Sequence, residues 1–492
     1  MQILLLLTII LALLPTFPIG LVTDGRWSVV CTAATVAALF LVAWMAGKLF
    51  AHLWNRTWYL RGLRCYRLVR AGLFVGVVLV EFISLILLSW GYVVRRVWGL
   101  GTWILLDEIL LLSPLMLSLV AVWWGLYPAE KILHDSLRRR DSTPFWSRTG
   151  YVIFQARTHS AILILPMLLY VTVQEMGSQL DSALMEQFRQ WLPFYYFTGI
   201  SVLAVLVVLL ILPWMLVRIW QTESLPQGEL RDLLESTARR LGFRYTDFRV
   251  WHTQNNIANA LVTGILPWPR YVVFSDSLLQ ALSSYELVAV LGHEIGHVRR
   301  WHLPLYVGLC MLAAVSGVQL LSLRWPGLEP YLVALLYRLP SDLADWRQWL
   351  HLAFSMTVLW GYIWLIFGYV SRHCEREADV YGCLAASCGN AQCSDHRENR
   401  SLAKSGDSLC PTGIRIFISA LEKVADINGL PRTQWSWRHG SIARRIAYLE
   451  KLQRRVAQGC RWPRWLWLPS WTTLILLALS VGGLSYLGIS VF

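Results

Sequence analysis

The sequence predicts an α-helical membrane protein of about nine spans, carrying a small α+β domain that two of those spans divide. Three observations predict this. Of the 492 residues, 56% are hydrophobic and only 15% are charged, against roughly 25% charged in soluble domains. The apolar residues gather into runs of bilayer length, and a helix needs about 20 of them to cross. Two long polar segments, 218–302 and 371–465, interrupt the pattern.

The nine runs fall at about 3–22, 28–46, 71–92, 103–125, 151–173, 194–217, 303–323, 350–370 and 470–489. The first lacks a basic start and a small-residue cleavage site, so it is expected to be a retained span and not a cleaved signal. Trp98, Trp103, Trp191 and Trp465 flank apolar runs, where amphipathic rings suit the headgroup level. The resulting organisation is a membrane domain of about six spans (1–217), a polar segment (218–302), two spans (303–370), a second polar segment (371–465) and a last span (466–492).

Basic residues set the expected orientation. Lys48, Arg56, Arg61, Arg64, Arg67 and Arg70 crowd the loop at 47–70, and Lys131, Arg138, Arg139, Arg140 and Arg148 that at 126–150. Positive loops stay inside, which puts both in the cytoplasm, the N-terminus in and the C-terminus out. Both polar segments then face the cytoplasm and can join into one domain. The formal net charge of +14 is read as loop charge facing anionic lipid. No nucleic-acid motif accompanies it, so no nucleic-acid partner is expected. Nine cysteines in no paired spacing argue against a disulfide framework.

The first polar segment reads as helix, strands, helix. Glu229–Leu241 is amphipathic and stops at Gly242. Phe248–Trp251, Ala258–Val262 and Tyr271–Phe274 are β-prone, with a turn at Ile265–Pro269 before the last. Ser283 or Ser284 can cap the next helix, and Glu286 lies three residues after Ser283. In the second segment helices are expected around 371–386, 414–427 and 441–456, with a mobile insertion at 387–412.

The chemistry sits in His293-Glu294-Ile295-Gly296-His297. On a helix, residues four apart share a face, so His293 and His297 can present two imidazoles to one metal ion. Zinc suits two neutral nitrogens and a carboxylate, with a fourth position left for water. Glu294 is placed to take the proton as water attacks a peptide carbonyl. Leu287, Val288, Val290 and Leu291 give the helix an apolar flank. A third ligand is sought in the second segment, where Glu375 and Asp379 are four apart. Glu375 can bind the metal while Asp379 fixes the tautomer of a ligand imidazole. Glu377 is a rival ligand, on a different face.

These residues resemble a family of integral-membrane zinc metalloproteases that includes the CAAX prenyl endopeptidases and the bacterial protease HtpX. The resemblance rests on Leu287–Arg300, on Ser371-Arg372 with Glu375 and Asp379, on Asn259–Gly264, and on His439-Gly440-Ser441 with Arg445-Ile446, where Gly440 stands in place of the family's Pro. It covers about 225–455, leaves 387–412 unmatched and does not reach the first six spans. It implies a zincin-like catalytic domain holding one zinc ion, with Glu375 and not Glu377 as third ligand. It further implies an edge strand at Asn259, Ala260 and Leu261 that receives a protein or peptide substrate by strand addition. His439 and Arg445 become candidates for stabilising the oxyanion, or His439 for capping the zinc at rest.

The expected function is therefore a zinc endopeptidase of an inner (cytoplasmic) type membrane, catalytic side in the cytoplasm, cutting membrane-associated, misfolded or prenylated proteins. The rivals are a sensor-transducer that signals through a protease domain and a non-catalytic membrane protein. His302 is expected to be interfacial. Cys383, Cys388, Cys393 and His396 are spaced too loosely for a structural zinc site. Glu81, Asp107, Glu108, Arg157 and His159 are expected to line a cavity or to pair with one another.

Overall fold

The computed structural model describes residues 24–54, 59–137, 144–179, 193–309, 360–387 and 409–457, with isolated positions 8, 9, 22, 357 and 475. The chain forms two compact units, Met1–Thr222 and Glu223–Phe492.

The first unit is helical. Among the described residues, four helical stretches are long and apolar enough to cross a bilayer: Gly25–Leu53, Cys65–Leu87, Arg148–Gly177 and Val202–Ile219. They fall on the runs expected at 28–46, 71–92, 151–173 and 194–217. Leu41, Met45, Leu49, Leu206 and Leu210 on these helices are exposed. A helix that bares so much apolar side chain needs lipid around it, and the chain is an integral membrane protein. Helix Gly25–Leu53 crosses helix Ser113–Leu137 at two glycines. A Cβ on Gly47 would lie 2.1 Å from the Gly125 carbonyl oxygen, so only glycine allows this approach.

The run expected to span at 103–125 is not one helix. A short helix, Leu106–Leu111, ends and a new one starts at Ser113. Pro114 lies in the first turn of the new helix, the one place where a missing N–H costs nothing. That helix then runs on to Leu137, through Glu130 and Lys131. The basic loop expected at 47–70 is likewise mostly helix, because Gly25–Leu53 extends past Lys48 and Tyr59–Phe82 begins before Arg61. Helical hydrogen bonding need not stop where the apolar run does, since long basic side chains reach outward from a helix surface. Asp107 and Glu108 pair with Arg95 at 2.7 and 3.3 Å. Arg157 donates to the Gln221 side chain at 2.5 Å. The spans expected at 3–22 and 470–489 lie outside the described residues apart from isolated positions, as do most of 303–323, the first part of 350–370 and most of the insertion at 387–412.

The second unit holds a four-stranded sheet of order β1-β2-β4-β3. Strand β1 is Glu223–Ser224, β2 Asp247–Trp251, β3 Ala260–Thr263 and β4 Tyr271–Ser275. Strands β2 and β4 are parallel, while β1 and β3 run antiparallel to their neighbours. This leaves β3 on an edge. Phe248, Val250, Val272 and Phe274 pack with Leu287, Val288, Leu291 and Ile295 into one core. The sheet therefore backs directly onto helix Ser284–Arg299, which carries the histidine pair.

Candidate metal centre

Helix Ser284–Arg299 is set at its start by a capping box. The Ser283 side chain accepts from the Glu286 amide, and Glu286 accepts from the Ser283 amide at 2.8 Å. Glu286 does more than cap. It also accepts from Ser419 Oγ and Lys423 Nζ, each at 2.7 Å, which ties the helix to Pro411–Ile427. Burial raises its carboxyl, but these donors outweigh burial and hold it below the usual range.

The partner that completes the site is helix Gly368–Ala386. The two helices approach at Gly292, Gly296 and Gly382. A Cβ on Gly292 would lie 2.2 Å from Ala385 Cβ, and one on Gly382 2.8 Å from the Ala289 carbonyl oxygen. The glycines at 292 and 296 thus let the crossing close, and the crossing brings Glu375 to the histidines.

At that crossing the Nε2 atoms of His293 and His297 lie 3.2 Å apart. Glu375 Oε2 is 3.7 Å from His293 Nε2, and Oε1 is 3.7 Å from His297 Nε2. The three donors lie within 4.8 Å of one another. Ligands bound tetrahedrally at about 2.0–2.1 Å stand about 3.3 Å apart, so separations of 3.2 and 3.7 Å fit a zinc ion. The donor chemistry fits as well, with two imidazoles and a carboxylate. His293 stacks on Phe417, their centroids 5.7 Å apart, which holds its ring in place.

The surroundings orient these donors. Asp379 Oδ1 is 3.1 Å from His293 Nδ1, a contact that favours the proton of that ring on Nδ1 and leaves Nε2 to bind a metal. Arg445 donates to both oxygens of Asp379, from Nε at 2.9 Å and from Nη2, and its Nη1 is 3.4 Å from Glu375 Oε2. His439 Nδ1 lies 2.8 Å from Glu375 Oε1, on a half-exposed ring. Burial opposes charge on Glu375 and Asp379, yet His439 and Arg445 at the first, and Arg445 and His293 at the second, hold both carboxyls below their usual range. Burial pushes Glu294 up to about 7. Its Oε2 accepts from the Val262 amide of β3 at 3.2 Å. The general-base candidate therefore touches the outer edge of the sheet.

A cleft of about 1310 Å³ opens over these groups, lined by Ala260, Leu261, Val262, Glu294 and His439 among others. Of the three residues expected on the substrate strand, Ala260 and Leu261 lie on β3. Asn259 precedes it, and its carbonyl is bound to the Ser275 amide at 2.9 Å. Arg445, expected at the oxyanion, is placed with its guanidinium on Asp379 and Glu375.

One residue, His302, has a different place from the one its sequence suggests, and the contact it makes with Glu377 was not foreseen. His302, expected at an interface, is 1% exposed, with Nδ1 2.9 Å from His297 Nδ1. Glu377, the rival ligand, instead faces His302 Nε2 at 3.1 Å. The only sequence signal was a histidine one turn past the ligand pair. Cys383 is buried in the core, while Cys388, Cys393 and His396 lie outside the described residues.

Residues 224–453 match the family model for Peptidase family M48. CAAX prenyl protease 1 of Saccharomyces cerevisiae is 36% identical over 81 residues, covering 16% of this chain and 18% of that protein. A protease HtpX homolog of Listeria monocytogenes serotype 4b is 31% identical over 96 residues, 19% of this chain and 31% of that protein. The matched stretches thus span less than a third of either relative. The crystal structure of S. mikatae Ste24p aligns over 86% of this chain and 98% of that chain, with a TM-score of 0.44 and 16% identity. Residues 224–453 of this membrane protein are thus a peptidase family M48 region, related to CAAX prenyl protease 1 and HtpX.

Proposed function

We propose that this chain is a membrane-embedded zinc endopeptidase, cleaving peptide bonds of membrane-associated, misfolded or prenylated proteins. The observation that carries the reading is the convergence of His293, His297 and Glu375 beside Glu294, at the edge of β3. A zinc ion held by His293, His297 and Glu375 would supply Lewis-acid activation of a water molecule. Glu294 takes the proton from the attacking water and passes it to the leaving amine. An extended substrate laid along β3 takes over the Val262 amide, which frees Glu294 Oε2 for that task. His439, half-exposed at the cleft, is placed to donate to the substrate carbonyl oxygen, and Arg445 holds Asp379 and Glu375 in register. The substrate-strand role falls to Ala260 and Leu261, with Asn259 anchoring the strand to Ser275. The basic residues at 47–70 and 126–150 favour a cytoplasmic catalytic side, which reporter tags on the two termini would check.

The test is bound zinc and cleavage of an unfolded protein by purified wild type and Glu294→Gln. The proposal expects zinc in both, and a rate about 10²–10⁴-fold lower in the variant. Absence of zinc from the wild type, or equal cleavage by the two, would overturn it.

A further inference from the structure

His293, His297 and His302 form a row of rings, with centroids 4.9 and 5.0 Å apart and each pair set edge-on. The row begins at the metal centre and ends on a carboxylate. His302 is reached because helix Ser284–Arg299 closes at Arg300 and Trp301 adopts a left-handed conformation, φ +58°, which turns the chain so that position 302 faces back. His302 and Glu377 are each at most 2% exposed, so water does not compete for their contacts.

The contacts fix where the protons go. Two ring nitrogens 2.9 Å apart, His297 Nδ1 and His302 Nδ1, share a single proton. Glu377, as a carboxylate, only accepts, so His302 donates from Nε2 across 3.1 Å. A neutral His302 is then bare at Nδ1 and accepts the proton of His297 Nδ1. His297 is left with a bare Nε2 facing His293 and Glu375. With the relay reversed, His297 would carry its proton on Nε2 and could not bind a metal. His293 receives the same treatment from Asp379 directly, at 3.1 Å. Each imidazole thus has its own carboxylate, one in contact and one acting through a second histidine. Burial pushes the Glu377 carboxyl up to about 7, and His373 Nε2, 3.8 Å from its other oxygen, acts in the opposite direction.

We propose that His302 and Glu377 are a positioning relay that sets the ligating tautomer of His297. The proposal rests on the reading of His293, His297 and Glu375 as a metal centre. It is tested on the full-length protein by the zinc dissociation constant, measured by competition with a chelator, in wild type, His302→Leu, Glu377→Leu and Glu377→Gln. His302→Leu and Glu377→Leu should bind zinc about 10–100-fold more weakly. Glu377→Gln keeps an acceptor for the His302 Nε2 proton and should recover most of the loss, which a merely structural role would not produce. Should His302→Leu fail to fold, the two Glu377 variants decide. Wild-type affinity in Glu377→Leu, or a loss in Glu377→Gln equal to that in Glu377→Leu, would overturn the relay while leaving the metal centre intact. A wild type without zinc affinity would overturn the metal centre and the relay together.

Discussion

Among the described residues, each unit holds a trio whose donors converge enough to enclose a cation: Asp107, Glu108 and Glu175 in the first, His293, His297 and Glu375 in the second. They differ in donor type and in where the nearest guanidinium sits. The first trio is all carboxylate, and Arg95 enters it, 2.7 Å from Asp107 and 3.3 Å from Glu108. Its cation is already part of the chain. In the second, Arg445 is spent mainly on Asp379, which is not one of the three, and reaches Glu375 at 3.4 Å. The two Nε2 atoms remain turned toward each other at 3.2 Å. Bare nitrogen lone pairs that close repel unless a cation or a proton lies between them. A buried ion pair and a metal-binding group can therefore share the same count of converging donors, and what separates them is the donor type and whether an arginine already fills the middle.

That contrast can be broken most sharply at the ligands. His293→Ala should abolish stoichiometric zinc and lower proteolysis by at least the 10²–10⁴-fold range of a lost catalytic group, whereas Asp107→Asn should leave zinc content unchanged. Metal analysis of the two purified variants checks both halves. Next in size is Arg445→Leu. It leaves Asp379 and Glu375 as buried carboxylates without their cation, and removing one partner of a buried pair costs about 3–5 kcal/mol. Thermal unfolding should show this, with weaker zinc binding alongside, while Arg95→Leu should destabilise without touching zinc.

Forcing the helix crossing open is the third lever. Gly292→Leu forces side-chain atoms into the space of Ala385, where even a Cβ would sit 2.2 Å away. Overpacking costs about 1–3 kcal/mol, and the separation it demands would draw Glu375 from the histidines, so zinc affinity should fall with stability. The smallest effect is expected at Glu286→Gln, about 1–2 kcal/mol for charge-assisted bonds to Ser283 and Ser419, with the exposed Lys423 end adding little. Because Glu286 titrates below its unfolded value, its contribution is fully present above the ordinary carboxylate range. It is lost as pH falls through the folded-state value. Wild type and variant should therefore converge in acid, in unfolding midpoints taken across pH.

Much of the second unit could be read from sequence because its signals are local. Four-residue spacing put His293 and His297 on one face, Ser283 with Glu286 marked the helix start, and the β-prone run before Gly264 marked a strand, whose edge position only the family resemblance implied. Glu375 could be proposed because it shares a helix with Asp379. What escaped depends on geometry that spacing does not encode. His302 faces back only because Trp301 turns left-handed, and Glu377 meets it only because the two helices cross at glycines. The same applies to the first unit. Pro114 splits the run at 103–125, and helices continue into stretches that composition marked as loops, since backbone hydrogen bonding is indifferent to where charge begins.

The most direct test of the metal centre is X-ray absorption at the zinc edge of the purified protein. The account predicts one zinc per chain in a shell of nitrogen and oxygen at about 2.0–2.1 Å, with imidazole scattering that disappears in His293→Ala. A sulfur shell at about 2.3 Å, or a zinc signal unchanged in that variant, would contradict it.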